Sequence, residues 1–112
     1  MSCLFCKIAA GEIPSNKLYE DEQVLAFYDL NPQAPVHFLV IPKQHITSAA
    51  DITPENSAVV AHVYEVIARL AAELKLDNGF RVANNAGADG GQTVEHLHFH
   101  VLAGRSLAWP PG

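Results

Sequence analysis

His96-Leu97-His98-Phe99-His100-Val101-Leu102 decides how this chain is read. Polar and apolar side chains alternate, and on a strand alternate side chains share a face. Residues 95–103 are therefore predicted as the last strand. Its three imidazoles line one face, roughly 6.6 Å apart along the chain. Leu97, Phe99 and Val101 fill the other face and anchor it to a core. Three of the six histidines of the chain crowd into five positions.

Before this strand, residues 80–84 read as a strand and residues 85–93 as a glycine-rich loop. The clearest helix opens at Thr53-Pro54-Glu55. Thr53 can cap it, Pro54 suits the first helical position, and Glu55 sits near the positive end of the macrodipole. Val59, Val63, Ile67, Leu70 and Leu74 recur at three- and four-residue intervals and give one apolar face. His62, Glu65, Arg69 and Glu73 lie mostly elsewhere, and His62 reads as a solvated or partly buried side chain without a role. Asp77-Asn78-Gly79 ends the helix.

Towards the N-terminus, residues 37–42 read as a strand that Pro42 closes. Residues 17–20 and 23–29 read as two short strands turning at Asp21-Glu22. Residues 3–10 can form a short helix ending at Gly11, and Pro14 prevents a restart. Strands around one long and one short helix argue for the α+β class, with an antiparallel sheet of about five strands.

At 112 residues the chain fits one domain, 1–112, and 49% hydrophobic against 17% charged residues fits a packed core. A domain of this size buries roughly two thirds of its unfolded surface, so association with a second copy would help it. The net charge of −5 and the absence of any Lys/Arg run disfavour nucleic acid as a partner. No apolar run approaches the roughly 20 residues that span a bilayer. The stretch Met1–Lys7 lacks a basic segment followed by a long apolar one. Cys3-x-x-Cys6 is no secreted disulfide framework, so a cytoplasmic location is expected.

Three uses are open to the histidine run. A tag or surface cluster fits poorly with its interleaved apolar residues and interior position. Two histidines spaced by two on a strand can share a metal. A neutral imidazole can instead attack phosphorus with one nitrogen while the other holds a proton, and a neighbouring histidine can protonate the leaving group. The loop Asn84-Asn85-Ala86-Gly87-Ala88-Asp89-Gly90-Gly91-Gln92-Thr93 favours the last use. Its glycines let successive N–H groups converge on an anion. Asn85, Gln92 and Thr93 add neutral hydrogen-bonding groups suited to phosphate oxygens or a leaving atom.

Together with Phe27-Tyr28-Asp29, Pro32-Gln33-Ala34-Pro35, His37–Lys43, Gly90-Gly91-Gln92 and the tail Trp109-Pro110-Pro111-Gly112, the His-x-His-x-His run resembles the histidine-triad (HIT) superfamily. Within it the chain looks like the Hint branch, the purine nucleoside phosphoramidases. The resemblance implies a HIT-like fold and hydrolysis of nucleoside 5′-phosphoramidates through a covalent nucleotidyl-histidine. It implies that His98 is the nucleophile, that His100 contacts phosphate and leaving group, and that His37 supports them. Thr93, where many relatives have serine, would donate to the leaving nitrogen. Asn85 would lie on the phosphate side with Gly91 and Gln92. Asp29 would accept from the ribose hydroxyls. Phe5, Ile8, Phe27 and Leu30 match positions around the base, although plain core is the alternative for the apolar ones.

Some HIT proteins use a Cys-x-x-Cys pair with two histidines to hold structural zinc. The matching residues are Cys3, Cys6, His45 and His96. A pair of buried thiols, or a site that has lost its metal, is the alternative. The resemblance also implies a homodimer in which Trp109 and the tail reach towards the partner's site. The competing functions are a dinucleoside polyphosphate hydrolase, resembling the Fhit branch, and a nucleotide-binding regulatory or interaction protein. The phosphoramidase reading requires the His98 ring to be reachable and not consumed by an ion.

Overall fold

The computed structural model describes residues 3–112; Met1 and Ser2, part of the N-terminal stretch read above, lie outside the described residues. The elements are α1 (Leu4–Ala9), β1 (Lys17–Glu20), β2 (Val24–Tyr28), β3 (Val36–Pro42), α2 (Ala58–Glu73), β4 (Phe80–Ala83) and β5 (Phe99–Ala103), with a short 3₁₀ turn at Ala49–Asp51 before α2. The five strands form one antiparallel sheet in the order β1-β2-β3-β5-β4. The fold is α+β, as the strand and helix periodicities predict.

Period-2 alternation sorts the side chains onto two faces. Val24 and Ala26 of β2, Phe38 and Val40 of β3, and Phe99 and Val101 of β5 pack with Val59, Val63, Val66, Ile67 and Leu70 of α2. The opposite face carries Leu25, Phe27, Leu39 and Ile41, which pack with Phe5 and Ile8 of α1. The two helices differ greatly in reach. The 16 residues of α2 span about 24 Å, whereas the six of α1 span about 9 Å. The second face is therefore roofed at one end only. Asp29, His37 and His100 group at the end that the α1 cluster does not include, where Asp29 N–H bonds the His37 carbonyl, Leu39 lies opposite His100, and His37 is buried.

Three local expectations are corrected. The helix does not begin at Thr53-Pro54: residues 54–57 form turns, and α2 starts at Ala58 after Ser57, which makes no side-chain cap bond. The Asn56 side-chain oxygen instead reaches back to accept the Thr53 N–H at 2.7 Å, closing the turn that precedes α2. The helix ends at Glu73 rather than at Asp77-Asn78-Gly79, with Lys75 in the left-handed region at φ 57°. The last strand begins at Phe99 rather than at residue 95. Leu97 N–H leaves the sheet ladder for the Ile46 carbonyl at 2.6 Å, so the first half of the histidine run follows a separate path.

A candidate active site beside a candidate metal centre

The triad histidines do share the α1 side of the sheet, while Leu97, Phe99 and Val101 are buried in the α2 core. The bend before Phe99 nevertheless divides them between two clusters. His96 turns to α1 and the loop after β3. His98 and His100 stay together, their ring centroids 5.0 Å apart.

In the first cluster, His96 is fully buried and donates its Nε2–H to the Pro42 carbonyl at 2.8 Å. That bond leaves Nδ1 unprotonated and facing Cys3 Sγ at 3.3 Å and Cys6 Sγ at 3.5 Å. His45 Nδ1 lies 3.2 Å from Cys6 Sγ. The four donor atoms all lie within 4.8 Å of one another. Burial pushes the His96 pKa down, with help from the neighbouring His45 and His98, which keeps its ring neutral. Burial also pushes the Cys6 thiol up to about 11, with the Cys3 hydrogen bond and charge adding to it. Two thiols and two imidazole nitrogens at this spacing suit a tetrahedral metal, and a carbonyl behind a ligand histidine is the usual orienting partner. The residues fit the group expected there. A metal would displace the thiol protons on binding.

The second cluster is built for protons. His98 donates its Nδ1–H to the His96 carbonyl at 2.6 Å, which reserves Nε2 as a lone pair. The His98 residue is 3% exposed, with the Phe5 ring against its edge at 5.1 Å. It is buried, and its ring lies against that of the half-buried His100. His37 Nδ1 accepts the Gln33 backbone N–H at 3.0 Å. The remaining proton of neutral His37 must then sit on Nε2, where it is donated to His100 Nδ1 at 2.9 Å, with Asp29 Oδ2 3.5 Å away. His100 in turn keeps its own proton on Nε2. Burial, reinforced by His98 and His37, pushes the His100 pKa down to about 4, so this ring is neutral near pH 7.

Asp29, His37 and His100 also lie close enough to hold an ion. The Gln33 N–H argues against it. A metal on His37 Nε2 would need a proton on Nδ1, where Gln33 already points a donor. The two clusters are thus distinguished by what sits behind each imidazole: a carbonyl behind His96, an N–H behind His37.

The glycine-rich loop is held by Gln92. Its Oε1 accepts the Gly87 N–H at 2.9 Å, and its Nε2 donates to the carbonyls of Thr47 and Val94 at 2.7 and 3.0 Å. Gln92 thus organises the loop rather than offering a free amide. Gly90 is obligatory, because a Cβ there would stand 2.5 Å from the Ala86 carbonyl oxygen. The N–H groups of Thr93 and Val94, at the loop exit, have no acceptor among the described residues. Thr93 is exposed and Asn85 half-buried. A groove of about 660 Å³ runs past Cys3, Leu4, His45 and Thr47 to the Gln92–Glu95 segment, flanking the sulfur cluster and the loop exit. Phe5, Ile8 and Phe27 belong to the packed α1 face, whereas Leu30 is 97% exposed beside Asp29. Sequence reasoning assigned no role to Asn84, whose Nδ2 donates to the His98 carbonyl at 2.9 Å, or to Gln33 and Arg105. Gln33 was visible only as part of a loop motif, since a backbone donor leaves no trace in residue type.

A HIT domain model matches residues 10–107. An uncharacterised HIT-like protein of Synechococcus elongatus is 51% identical over 109 residues, 97% of this chain and 96% of that protein. The crystal structure of a HIT family hydrolase from Legionella pneumophila Philadelphia 1 matches with a TM-score of 0.97 at 46% identity, covering 99% of this chain and 100% of that one. A histidine triad nucleotide-binding protein from Candida albicans matches with a TM-score of 0.83 at 36% identity, over 97% of this chain and 83% of that one. The chain belongs to the HIT domain family. Among the described residues, no helix is long and apolar enough to cross a membrane.

Proposed function

We propose that this protein is a nucleotide hydrolase of the Hint type that cleaves the P–N bond of nucleoside 5′-phosphoramidates. The observation that carries the reading is the 2.6 Å bond from His98 Nδ1 to the His96 carbonyl. It fixes the tautomer that a nucleophilic imidazole needs, with Nε2 as the free lone pair. The names of the similar hydrolase and nucleotide-binding proteins support the class.

In this reading Nε2 of His98 attacks the α-phosphorus. The P–N bond breaks, and the amine, held by a hydrogen bond from His100 Nε2–H, leaves with a proton drawn from solvent. The N–H groups at the loop exit and the Thr93 hydroxyl stabilise the non-bridging oxygens and leaving atom. Water then attacks phosphorus, gives up a proton to solvent, and releases the nucleoside monophosphate and His98. Asp29, grouped with His37 and His100, accepts from the ribose hydroxyls. It already accepts the Asn31 N–H on Oδ1 at 2.8 Å. Leu30 and the edges of Phe5, Ile8 and Phe27 flank the base. Zinc is the metal that the two thiols and two imidazoles suit, in a structural role. A homodimer fits the exposed Phe80 on edge strand β4 and the exposed Tyr64 on α2, with the 82%-exposed Trp109 on the tail.

Turnover of adenosine 5′-phosphoramidate, compared with a dinucleoside polyphosphate, tests the proposal. Preferred, His98-dependent release of adenosine monophosphate from the phosphoramidate is expected. Binding of nucleotide without any turnover would favour the regulatory alternative.

A further inference from the structure

The proton positions at the open end of the sheet are set from an unexpected distance. Arg105, in the turn that follows β5, donates from Nε to the Gln33 carbonyl at 3.1 Å and from Nη1 to the Ser106 carbonyl at 3.1 Å. Among the described residues it has no carboxylate partner, so its guanidinium serves backbone oxygens only. The turn is pressed onto the Gln33 loop: Gly104 has φ +92°, and a Cβ there would meet Pro35 Cβ at 2.8 Å. The Gln33 side chain is tied back as well, with Nε2 donating to the Asn31 carbonyl at 2.9 Å. Held at its carbonyl and its side chain, Gln33 keeps its N–H on His37 Nδ1. From there each bond determines the next, through His37 Nε2–H to His100 Nδ1.

We propose that Arg105 is a positioning residue which, through the Gln33 backbone, sets the ring nitrogen on which His100 presents its proton. The consequence for turnover rests on the proposed role of His100 as hydrogen-bond donor to the leaving amine. Without the clamp on the 33–34 peptide the Gln33 backbone can rotate and carry its N–H away, and His37 can place its proton on either nitrogen. His100 then presents a lone pair to the leaving group for part of the time.

The test uses the full chain, with Arg105→Met, Arg105→Lys and Gln33→Pro, the last of which deletes the N–H itself. Long-range ¹⁵N–¹H spectra of ¹⁵N-histidine-labelled protein read the tautomers directly. In the wild type, Nδ1 of both His37 and His100 is expected in the unprotonated range. In Arg105→Met both rings are expected to shift towards tautomer averaging, and kcat on adenosine 5′-phosphoramidate to fall by about tenfold, the low end for loss of a partner behind a functional histidine, with KM little changed. Arg105→Lys still reaches the Gln33 carbonyl and is expected to restore both signals. Unchanged tautomers in Arg105→Met overturn the proposal, even with kcat reduced, because the loss is then merely structural. If Gln33→Pro does not fold, the exposed Arg105 pair still decides the matter. A wild type that turns over no phosphoramidate at all would instead sink the functional reading, and the spectra would still show whether Arg105 sets the rings.

Discussion

Two histidine clusters lie on the same side of one sheet, built partly from the same seven-residue run, and they are prepared for opposite chemistry. At His96 a carbonyl takes the outer proton, so the inner nitrogen is bare before two thiols. At His37 a backbone N–H occupies the outer lone pair, so the inner nitrogen carries a proton to pass to His100. The lesson is that residue type does not separate a metal ligand from a proton donor. The backbone group behind the ring sets which nitrogen is left bare: a carbonyl backs His96 and His98 alike, and an N–H backs His37. His96 joins the two clusters, because its ring belongs to one and its carbonyl holds His98 in the other.

The comparison breaks most visibly at His98. His98→Ala is expected to lower turnover of adenosine 5′-phosphoramidate by roughly a thousandfold or more, as for other covalent nucleophiles, while nucleotide binding by calorimetry persists. Substantial remaining turnover would move the nucleophile elsewhere. Next in size is His37→Gln. The side chain there no longer relays a proton to His100, and kcat is expected to drop about ten- to a hundredfold, the range for groups behind a functional histidine. Metal content should not change, and a loss of metal in this variant would show that the clusters are not separate.

Cys6→Ala probes the other side. Metal measured by mass spectrometry on protein purified without added zinc is expected to fall from near one per chain to background. The melting temperature should drop by about 5 °C or more, the response of a small domain to losing a kcal/mol or so. The expected cost in kcat/KM is below about tenfold, since the His96 carbonyl remains in place and outer-shell losses rarely exceed that by much. Equal metal in wild type and variant would remove the metal assignment.

Much of this was legible in the sequence, for physical reasons that also explain what was not. Alternation in Val24–Tyr28 and His96–Leu102 reports which of two covered faces each side chain joins, so the strands and their faces could be read off. The Cys3, Cys6, His45 and His96 set follows from resemblance, and the geometry gathers those four donors. Periodicity says nothing about where a ladder stops, so the bend before Phe99 and the late start of α2 were missed. Both depend on single side-chain or backbone bonds, Asn56 to Thr53 and Leu97 to Ile46. Gln92 was read as a phosphate contact from its chemistry, yet it is spent inside the loop. Arg105 was unreadable, because its partner is a carbonyl that every residue possesses.

His62 offers the smallest and most delicate contrast, a histidine on the other side of the sheet whose proton is neither relayed nor displaced. Its Nε2 meets Asp21 Oδ2 at 2.6 Å, tying the β1–β2 turn to α2, and Nδ1 lies 3.3 Å from Glu65. The Asp21 bond raises the His62 pKa above its ordinary 6.5, burial works against this, and Glu65 adds to it. Burial likewise opposes ionisation of Asp21, but His62, the N–H groups of Gln23 and Val24, and the Tyr19 hydroxyl outweigh it and hold the carboxyl far below the usual range. A raised histidine contributes stability that is complete below its unfolded pKa and is lost as pH rises through the folded one. A depressed carboxylate contributes above its unfolded pKa and loses that as pH falls. The staple is therefore at full strength between about pH 4 and 6.5, the unfolded values of the two groups. His62→Gln should cost about 1 kcal/mol in urea unfolding within that window, the upper part of the range for pairs near the surface, and progressively less as pH rises above it. A cost that stays constant to pH 9 would mean that His62 stabilises by packing alone, and that its contact with Asp21 does not depend on the histidine proton.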